Sequence, residues 1–199
     1  MQKPLILASG SQSRKVVLSG AGLQFSIEPA RIDEREVEES LEESDQNPAN
    51  IARSLAMAKA LDVSSRNSGA YVIGSDQTLS LGAHIFHKPK DMVEAANHIR
   101  AFSGQTHHLN CGLAIAFNGL IVWSGVSIAA MTMRAISEDF LARYLEMAGP
   151  GILQSVGAYQ FEGPGIQLFE KIDGDYFTIL GLPLLDLLKA LRALGAIDA

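Results

Sequence analysis

The dipeptide Asn118-Gly119 constrains the fold of this chain more than any other feature. It separates two apolar runs, 109–117 and 120–130. Asn followed by Gly supplies the positive φ angles of a tight turn, and flanking apolar runs are typical of paired strands. The sequence therefore predicts a β-hairpin here, and with it a sheet that contains antiparallel pairs.

The rest of the chain alternates short apolar runs with helical patterns. Asn47 and Pro48 have the residue types of a helix N-cap and first turn, and Ser137 is a second N-cap candidate. The acidic stretch 31–46 is expected to be a loop or a solvated helix, and Asp173-Gly174 suggests another hairpin. Predicted strands are 4–9 and 71–73, and predicted helices are 13–21, one from 48 onward, 91–102, 138–148 and 184–194. This pattern predicts an α/β fold.

Composition sets limits on size, compartment and partners. A chain of 199 residues, 47% hydrophobic and 19% charged, is long enough for one ordinary or two-lobed globular domain. A net charge of −6 argues against polymeric nucleic acid as a partner. The single cysteine, Cys111, precludes an internal disulfide and, with no signal-peptide pattern, favours the cytoplasm. No apolar run approaches the roughly 20 residues of a membrane helix.

The turn between the first predicted strand and helix is rich in hydroxyl groups. It contains Ser9, Ser11 and Ser13, and Arg14 and Lys15 follow directly. Backbone N–H groups, hydroxyls and the positive end of a helix suit a bound anion, although the Walker spacing is absent. Two interpretations remain open from the residues alone: a phosphate-binding turn, or a capped helix with two solvated cations.

Four other charged residues are candidates for chemistry. Asp76 follows the strand pattern "YVIGS", and a carboxylate at a strand end can act as a general base or hold a divalent metal. Lys59 lies beside the apolar stripe of its helix, where a lysine also snorkels without any functional role. Lys88 and Glu162 precede proline and glycine, so ordinary loop positions are the simpler reading for both. Ser9 has no histidine partner at a hydrolase spacing, which makes a serine hydrolase a weak hypothesis.

Five blocks in this order resemble one family: "LASGSQSRKVVL", "GSDQTL", "HKPKD", "AFSGQTHH" and "VGAYQFEGPGIQLFEKIDGDYFTILGLPL". Together they resemble the Maf family of nucleoside triphosphate pyrophosphatases, from Leu5 to about Leu188. The resemblance implies a Maf/ITPase-like α/β domain over 1–199, with an elongated mixed sheet flanked by helices and two lobes around a cleft. It also implies hydrolysis of a nucleoside triphosphate, in some cases a modified one, to the monophosphate and pyrophosphate. A divalent metal, Mg²⁺ or Mn²⁺, a house-cleaning role and a link to arrest of cell division are further implications, and a homodimer is left open.

The resemblance also assigns roles to individual residues. Asp76 matches the proton acceptor, and Asp76 with Glu34 would hold the metal. Ser13, Gln77 and Glu162 match positions that sort substrates among subgroups. The expected substrate-binding residues are Ser9, Ser11, Arg14, Lys15, Glu34, Lys59 and Lys88.

The specificity positions divide between subgroups. Gln77 and Glu162 match the subgroup that resembles 7-methyl-GTP pyrophosphatase, whereas the dTTP/UTP subgroup has Thr and Gln there. Ser13 matches neither the tryptophan of the first subgroup nor the arginine of the second, and Gln12 stands where proline is usual. A glutamate can accept hydrogen bonds from guanine, while a serine cannot stack on a cationic base. The alternatives are a dTTP/UTP pyrophosphatase, a non-catalytic nucleotide-binding regulator of septum formation, and a phosphatase that releases orthophosphate.

Overall fold

The computed structural model describes residues 3–198, in which strands and helices alternate. The strands are β1 (Leu5–Leu7), β2 (Ser26–Ile27), β3 (Tyr71–Leu81), β4 (His84–Phe86), β5 (Thr106–Phe117), β6 (Leu120–Met133) and β7 (Phe169–Asp173). The helices are α1 (Gln12–Gly20), α2 (Glu34–Glu39), α3 (Pro48–Ser64), α4 (Met92–Phe102), α5 (Glu138–Ala148), α6 (Tyr176–Ile179) and α7 (Leu184–Ala193). Short 3₁₀ turns lie at Glu43–Asp45, Pro150–Gln154 and Pro164–Leu168.

Within residues 3–198 the strands form one seven-stranded mixed sheet. Its order is β2-β1-β3-β5-β6-β7, and β4 pairs with β3. β1 is parallel to β2 and β3, while the pairs β3–β4 and β6–β7 are antiparallel. This topology confirms the predicted α/β fold with a mixed sheet and flanking helices.

The chain divides into two compact units. The described part of the first unit is 3–77, 110–127 and 175–198, and the second unit is 78–109 and 128–174. The strands β3, β5 and β6 contribute residues to both units. A single domain of two lobes around a cleft stays a prediction.

The sheet of the first unit is covered on both faces, as its strand pattern requires. On one face, buried residues of β1, β3 and β5 pack with α1 and α7; they include Leu7, Leu18, Ile73, Ile115 and Leu187. On the other face, Ile6, Val72 and Ala114 pack with Ala56 and Ala60 of α3. Successive residues of a strand point to opposite faces, so β3 sends its odd-numbered side chains to α1 and α7 and its even-numbered ones to α3.

Two glycines allow α3 to lie unusually close to the sheet. A Cβ added to Gly74 of β3 would stand 2.1 Å from the carbonyl oxygen of Ala56, and one added to Gly112 of β5 would stand 2.1 Å from that of Ala52. Neither position has room for any side chain. The close approach brings the side chain of Lys59, on α3, to the even-numbered face of β3.

Three locally encoded features are confirmed. Asn47 caps α3 through its side-chain oxygen, which accepts the N–H of Asn50 at 2.9 Å. Asn118 and Gly119 adopt φ angles of 50° and 76° between β5 and β6, as the hairpin prediction requires. Ser137 is the N-cap of α5, and Gly149 is its C-cap.

Two predictions about strand ends are wrong. Asp76 does not end a strand, because β3 continues to Leu81 and Asp76 lies 9% exposed within it. The polar residues after Gly74 suggested a loop because their hydrogen-bond and ionic partners lie elsewhere in the chain. Asp173-Gly174 forms no hairpin: Asp173 ends β7, and Asp175 then caps α6 by accepting the N–H groups of Phe177 and Thr178 at 2.9 and 3.0 Å.

The second unit contains a buried cluster of aromatic residues. His107 is fully buried, contacts the rings of Phe102 and Phe169, and forms a hydrogen bond of 2.8 Å with the hydroxyl of Tyr159. Burial lowers the pKa of His107 to about 4, so its imidazole is neutral at pH 7. Burial also raises the pKa of Tyr144 and Tyr159 above the usual range. Throughout 3–198, no helix combines the length and the apolarity that crossing a membrane demands.

Candidate active site

The serine turn after β1 is built by its own side chains. Ser11 is the N-cap of α1, and its hydroxyl lies 3.5 Å from the N–H of Arg14. Ser9, only 8% exposed, accepts the N–H of Ser11 at 3.2 Å and a guanidinium N–H of Arg14 at 3.1 Å. The turn therefore places hydroxyls, backbone N–H groups and an arginine together at the start of a helix.

The guanidinium of Arg14 is oriented by the turn between α6 and α7. Its Nε donates to the carbonyl oxygen of Gly181 at 2.8 Å. The hydroxyl of Ser75 donates to the same oxygen at 2.8 Å, so Gly181 accepts two donors on its two lone pairs. Gly181 has a φ of 85°, a conformation that favours glycine. The guanidinium of Arg14 thus donates to Ser9 through Nη1 and to Gly181 through Nε.

The alternation of β3 places its polar residues on two different faces. Ser75 points toward Gly181 in the α6–α7 turn, and the amide of Gln77 donates to the carbonyl of Thr178 on α6 at 2.9 Å. Asp76 points to the opposite face, toward α3. One strand therefore supports both the arginine side of the site and the carboxylate side.

The carboxylate side is a three-residue ionic network. Lys59 Nζ lies 2.5 Å from Asp76 Oδ1 and 2.7 Å from Glu34 Oε1. The side chains of Lys59 and Asp76 are each 12% exposed, whereas that of Glu34 is 55% exposed. A largely buried lysine and aspartate need each other, since either charge alone would be costly to bury.

The two carboxylates have the donor chemistry of a Mg²⁺ or Mn²⁺ site. Among residues 3–198 no group of three or more His, Cys, Asp or Glu side chains is arranged to hold a metal ion. Asp76 and Glu34 nevertheless direct one oxygen each toward a single cation, the ammonium of Lys59. Mg²⁺ is commonly bound by one or two carboxylates, with substrate phosphates and water completing its shell. The residues present therefore fit such an ion.

The contacts described above do not include four other predicted site residues. Lys15 is exposed on α1, and Ser13 is half-buried on the same helix. Lys88 is an exposed loop residue and Glu162 an exposed turn residue, and both belong to the second unit. The contacts described above join Ser9, Ser11 and Arg14 in one group and Glu34, Lys59 and Asp76 in another.

Cys111 is a core residue, as predicted. It is fully buried in β5 with its sulfur 3.7 Å from the hydroxyl of Ser75. Burial raises the pKa of the Cys111 thiol to about 12, with the nearby Arg14 acting in the opposite direction. The thiol stays protonated at neutral pH and is no nucleophile.

Sequence reasoning missed Gly181, whose carbonyl orients Arg14, and Ser75, which donates to the same carbonyl. Ser75 lies 106 residues from Gly181, and Arg14 lies 167 residues from it. Local patterns carry no information about such pairings. The only available signals were a serine inside an apolar strand and a glycine directly before Leu182-Pro183.

Fold and site together define an α/β protein with a serine–arginine turn and a buried lysine–carboxylate network. The family model described as Maf-like protein matches residues 4–194. The chain is 56% identical over 198 residues to "7-methyl-GTP pyrophosphatase" of Rhizobium etli and 57% identical over 198 residues to that of Brucella suis biovar 1, with 100% of each chain covered. It is 50% identical over 191 residues to "Nucleoside triphosphate pyrophosphatase" of Nitrobacter winogradskyi, covering 96% of this chain and 94% of the relative. The chain belongs to the Maf family.

One solved structure shares a weaker likeness. It is described as a HAM1 protein from Coxiella burnetii, with 13% identity, a TM-score of 0.41, and coverage of 66% of this chain and 73% of that one. A likeness of this size bears on neither fold nor function.

Proposed function

We propose that this protein hydrolyses nucleoside triphosphates to the monophosphate and pyrophosphate. The observation that carries the proposal is the register of two parallel strands. Leu7 of β1 pairs with Ile73 of β3, and the N–H of Ala8 donates to the carbonyl of Ile73 at 2.8 Å. Ser9 therefore follows β1 beside the segment of β3 that carries Asp76. The serine–arginine turn follows β1, and Asp76 lies in the adjacent strand β3 of the same unit.

The residues of this unit suit attack by water on the α-phosphorus. The water oxygen forms a bond to that phosphorus, its proton passes to the carboxylate of Asp76, and the bond to the α–β bridging oxygen breaks. The bridging oxygen leaves with the pyrophosphate. Arg14 and Lys59 would neutralise the negative charge that develops on the leaving group, which is the main work of protein residues in phosphoryl chemistry.

Asp76 and Glu34 would hold the divalent metal. A bound Mg²⁺ or Mn²⁺ would supply charge neutralisation and polarisation of a phosphoryl oxygen. Lys15 and Lys88 remain proposed contacts of the triphosphate, and each is exposed enough to meet a ligand from solvent.

The favoured substrate within this class is 7-methyl-GTP. Relatives of Rhizobium etli and Brucella suis bear that name. Glu162 can accept hydrogen bonds from the N1–H and amino group of guanine, and its exposure leaves the carboxylate accessible. Gln77 matches the same subgroup, and its amide donates to the carbonyl of Thr178 on α6. Without an aromatic residue at Ser13, discrimination between 7-methyl-GTP and GTP should be modest.

A nucleotide panel with product analysis tests the proposal. The purified protein is incubated with 7-methyl-GTP, GTP, UTP, dTTP and pseudouridine triphosphate in the presence of Mg²⁺ or Mn²⁺. We expect pyrophosphate and monophosphate in equal amounts. Orthophosphate as the first product would indicate a phosphatase, and binding without turnover would indicate a nucleotide-binding regulator. The link to cell division, the homodimer and the cytoplasmic location stay predictions.

A further inference from the structure

The ammonium of Lys59 lies where two carboxylates converge. It lies 2.5 Å from Asp76 Oδ1 and 2.7 Å from Glu34 Oε1, so both oxygens contact the same cation. Lys59 precedes Ala60, which packs closely against Gly74 of β3. The side chains of Lys59 and Asp76 are each 12% exposed, so little water screens that contact, whereas Glu34 is 55% exposed and its contact is screened more.

The same two carboxylates are the proposed ligands of the divalent metal. A lysine ammonium and a metal ion cannot share these oxygens, because two cations within a few ångströms repel each other strongly in a partly buried site. A metal that binds to these same two oxygens, Asp76 Oδ1 and Glu34 Oε1, must displace the ammonium.

We propose that Lys59 is a built-in competitor of the divalent metal for Asp76 and Glu34. Before metal binds, the ammonium of Lys59 balances the charge of the two carboxylates. When metal binds, the ammonium leaves the carboxylates and becomes available to a phosphate group. The inference rests on the proposed function only in taking Asp76 and Glu34 as the metal ligands.

Competition makes two predictions about metal affinity. Removing the charge of Lys59 should tighten metal binding to the protein without nucleotide, because the carboxylates then lack a competing cation. In the wild type, a nucleotide should also tighten metal binding, since its phosphates draw the ammonium away. This second effect should shrink when Lys59 is replaced by a neutral residue.

The test measures Mn²⁺ binding to the full-length protein by electron paramagnetic resonance, without nucleotide. We expect Lys59→Gln to bind Mn²⁺ at least about tenfold more tightly than the wild type. Lys59→Arg, which retains the charge, should stay within about threefold. Lys189→Gln on α7 is the matched control, because it makes the same change in net charge at an exposed position. It should change the affinity by less than about twofold.

The specificity of the gain is checked in a double variant. Adding Asp76→Asn to Lys59→Gln should abolish the tighter binding, because one of the two ligands is gone. Unchanged or weaker Mn²⁺ binding by Lys59→Gln would overturn the proposal. If Lys59→Gln lacks native circular dichroism, Lys59→Met, which keeps the apolar stem, replaces it with the same expectations.

The same experiment can be repeated with the α,β-methylene analogue of GTP, which cannot be cleaved between those phosphates. We expect this analogue to tighten Mn²⁺ binding more in the wild type than in Lys59→Gln. An equal effect in both proteins would contradict the release of Lys59 to phosphate. Pyrophosphate release is measured in parallel. If no triphosphate yields pyrophosphate, the proposed function is wrong, but the comparison of Mn²⁺ binding in the absence of nucleotide still tests the competition.

Discussion

Replacing Asp76 by asparagine separates the chemical role of this residue from its structural role. The substitution keeps the shape of the side chain but removes a carboxylate whose oxygen lies 2.5 Å from Lys59 Nζ. A general base contributes about 10²- to 10⁴-fold to a rate, so kcat should fall by about 10²-fold or more. The same change leaves the ammonium of Lys59 with Glu34 as its remaining carboxylate partner.

The structural cost follows from the burial of Lys59. Breaking a fully buried ion pair costs about 3–5 kcal/mol. The Lys59 side chain is 12% exposed and keeps its 2.7 Å contact with Glu34. We therefore expect Asp76→Asn to lower the free energy of unfolding by only about 1–2 kcal/mol. Urea denaturation measures this loss, and pyrophosphate release measures kcat.

A second substitution distinguishes the two effects. In the double variant Asp76→Asn with Lys59→Met, no buried charge is left without its partner, so most of the lost stability should return. The activity should not return, because the proposed base is still missing. Near wild-type kcat in Asp76→Asn with intact folding, or recovery of activity in the double variant, would refute the reasoning.

Four further predictions follow from other parts of the structure. Arg14→Ala should lower kcat/KM by about tenfold or more while costing only about 1–2 kcal/mol of unfolding free energy; an unchanged kcat/KM would return Arg14 to the role of a surface cation. Ser13→Trp should raise the ratio of kcat/KM for 7-methyl-GTP to kcat/KM for GTP by about two- to thirty-fold, and Glu162→Gln should lower the activity on guanine nucleotides relative to UTP. A substrate profile that neither variant changes contradicts the purine assignment. Gly74→Ala should cost about 3 kcal/mol or more in urea denaturation, because the added Cβ has no room; a loss below about 1 kcal/mol is incompatible with the packing described. The buried His107 has a pKa of about 4 in the folded protein and an ordinary pKa of 6.5 when unfolded, so the unfolded chain binds more protons between these pH values. About 3 kcal/mol of the unfolding free energy present above pH 6.5 should therefore be lost as the pH falls toward 4. His107→Gln should flatten this pH dependence, and an equal pH slope in both proteins would contradict the prediction.

Features with a local cause were predictable from the sequence. The cap of α3 depends on Asn47 and Pro48, which are adjacent, and the β5–β6 hairpin depends on Asn118 and Gly119. Such signals depend on adjacent residues, so they do not require knowledge of the rest of the fold.

Features with a remote cause were not predictable. Asp76 was expected at a strand end because the glycine and three polar residues of Gly74-Ser75-Asp76-Gln77 suggested a loop. In the structure these polar groups are satisfied by Lys59, Gly181 and Thr178, and Gly74 is required by the approach of a helix. Polar residues inside a buried strand are stable only with partners supplied by other elements. The chemistry of the candidate residues was visible in the sequence, but the geometry that joins them was not.

The position of the attacked phosphorus is the most direct test of the central claim. The protein is allowed to hydrolyse 7-methyl-GTP in water enriched in ¹⁸O, and both products are analysed by mass spectrometry. Attack on the α-phosphorus predicts one ¹⁸O in the 7-methyl-GMP and none in the pyrophosphate at early times. Label in the pyrophosphate, or in orthophosphate released with a nucleoside diphosphate, would contradict the mechanism built on Asp76 and the serine–arginine turn.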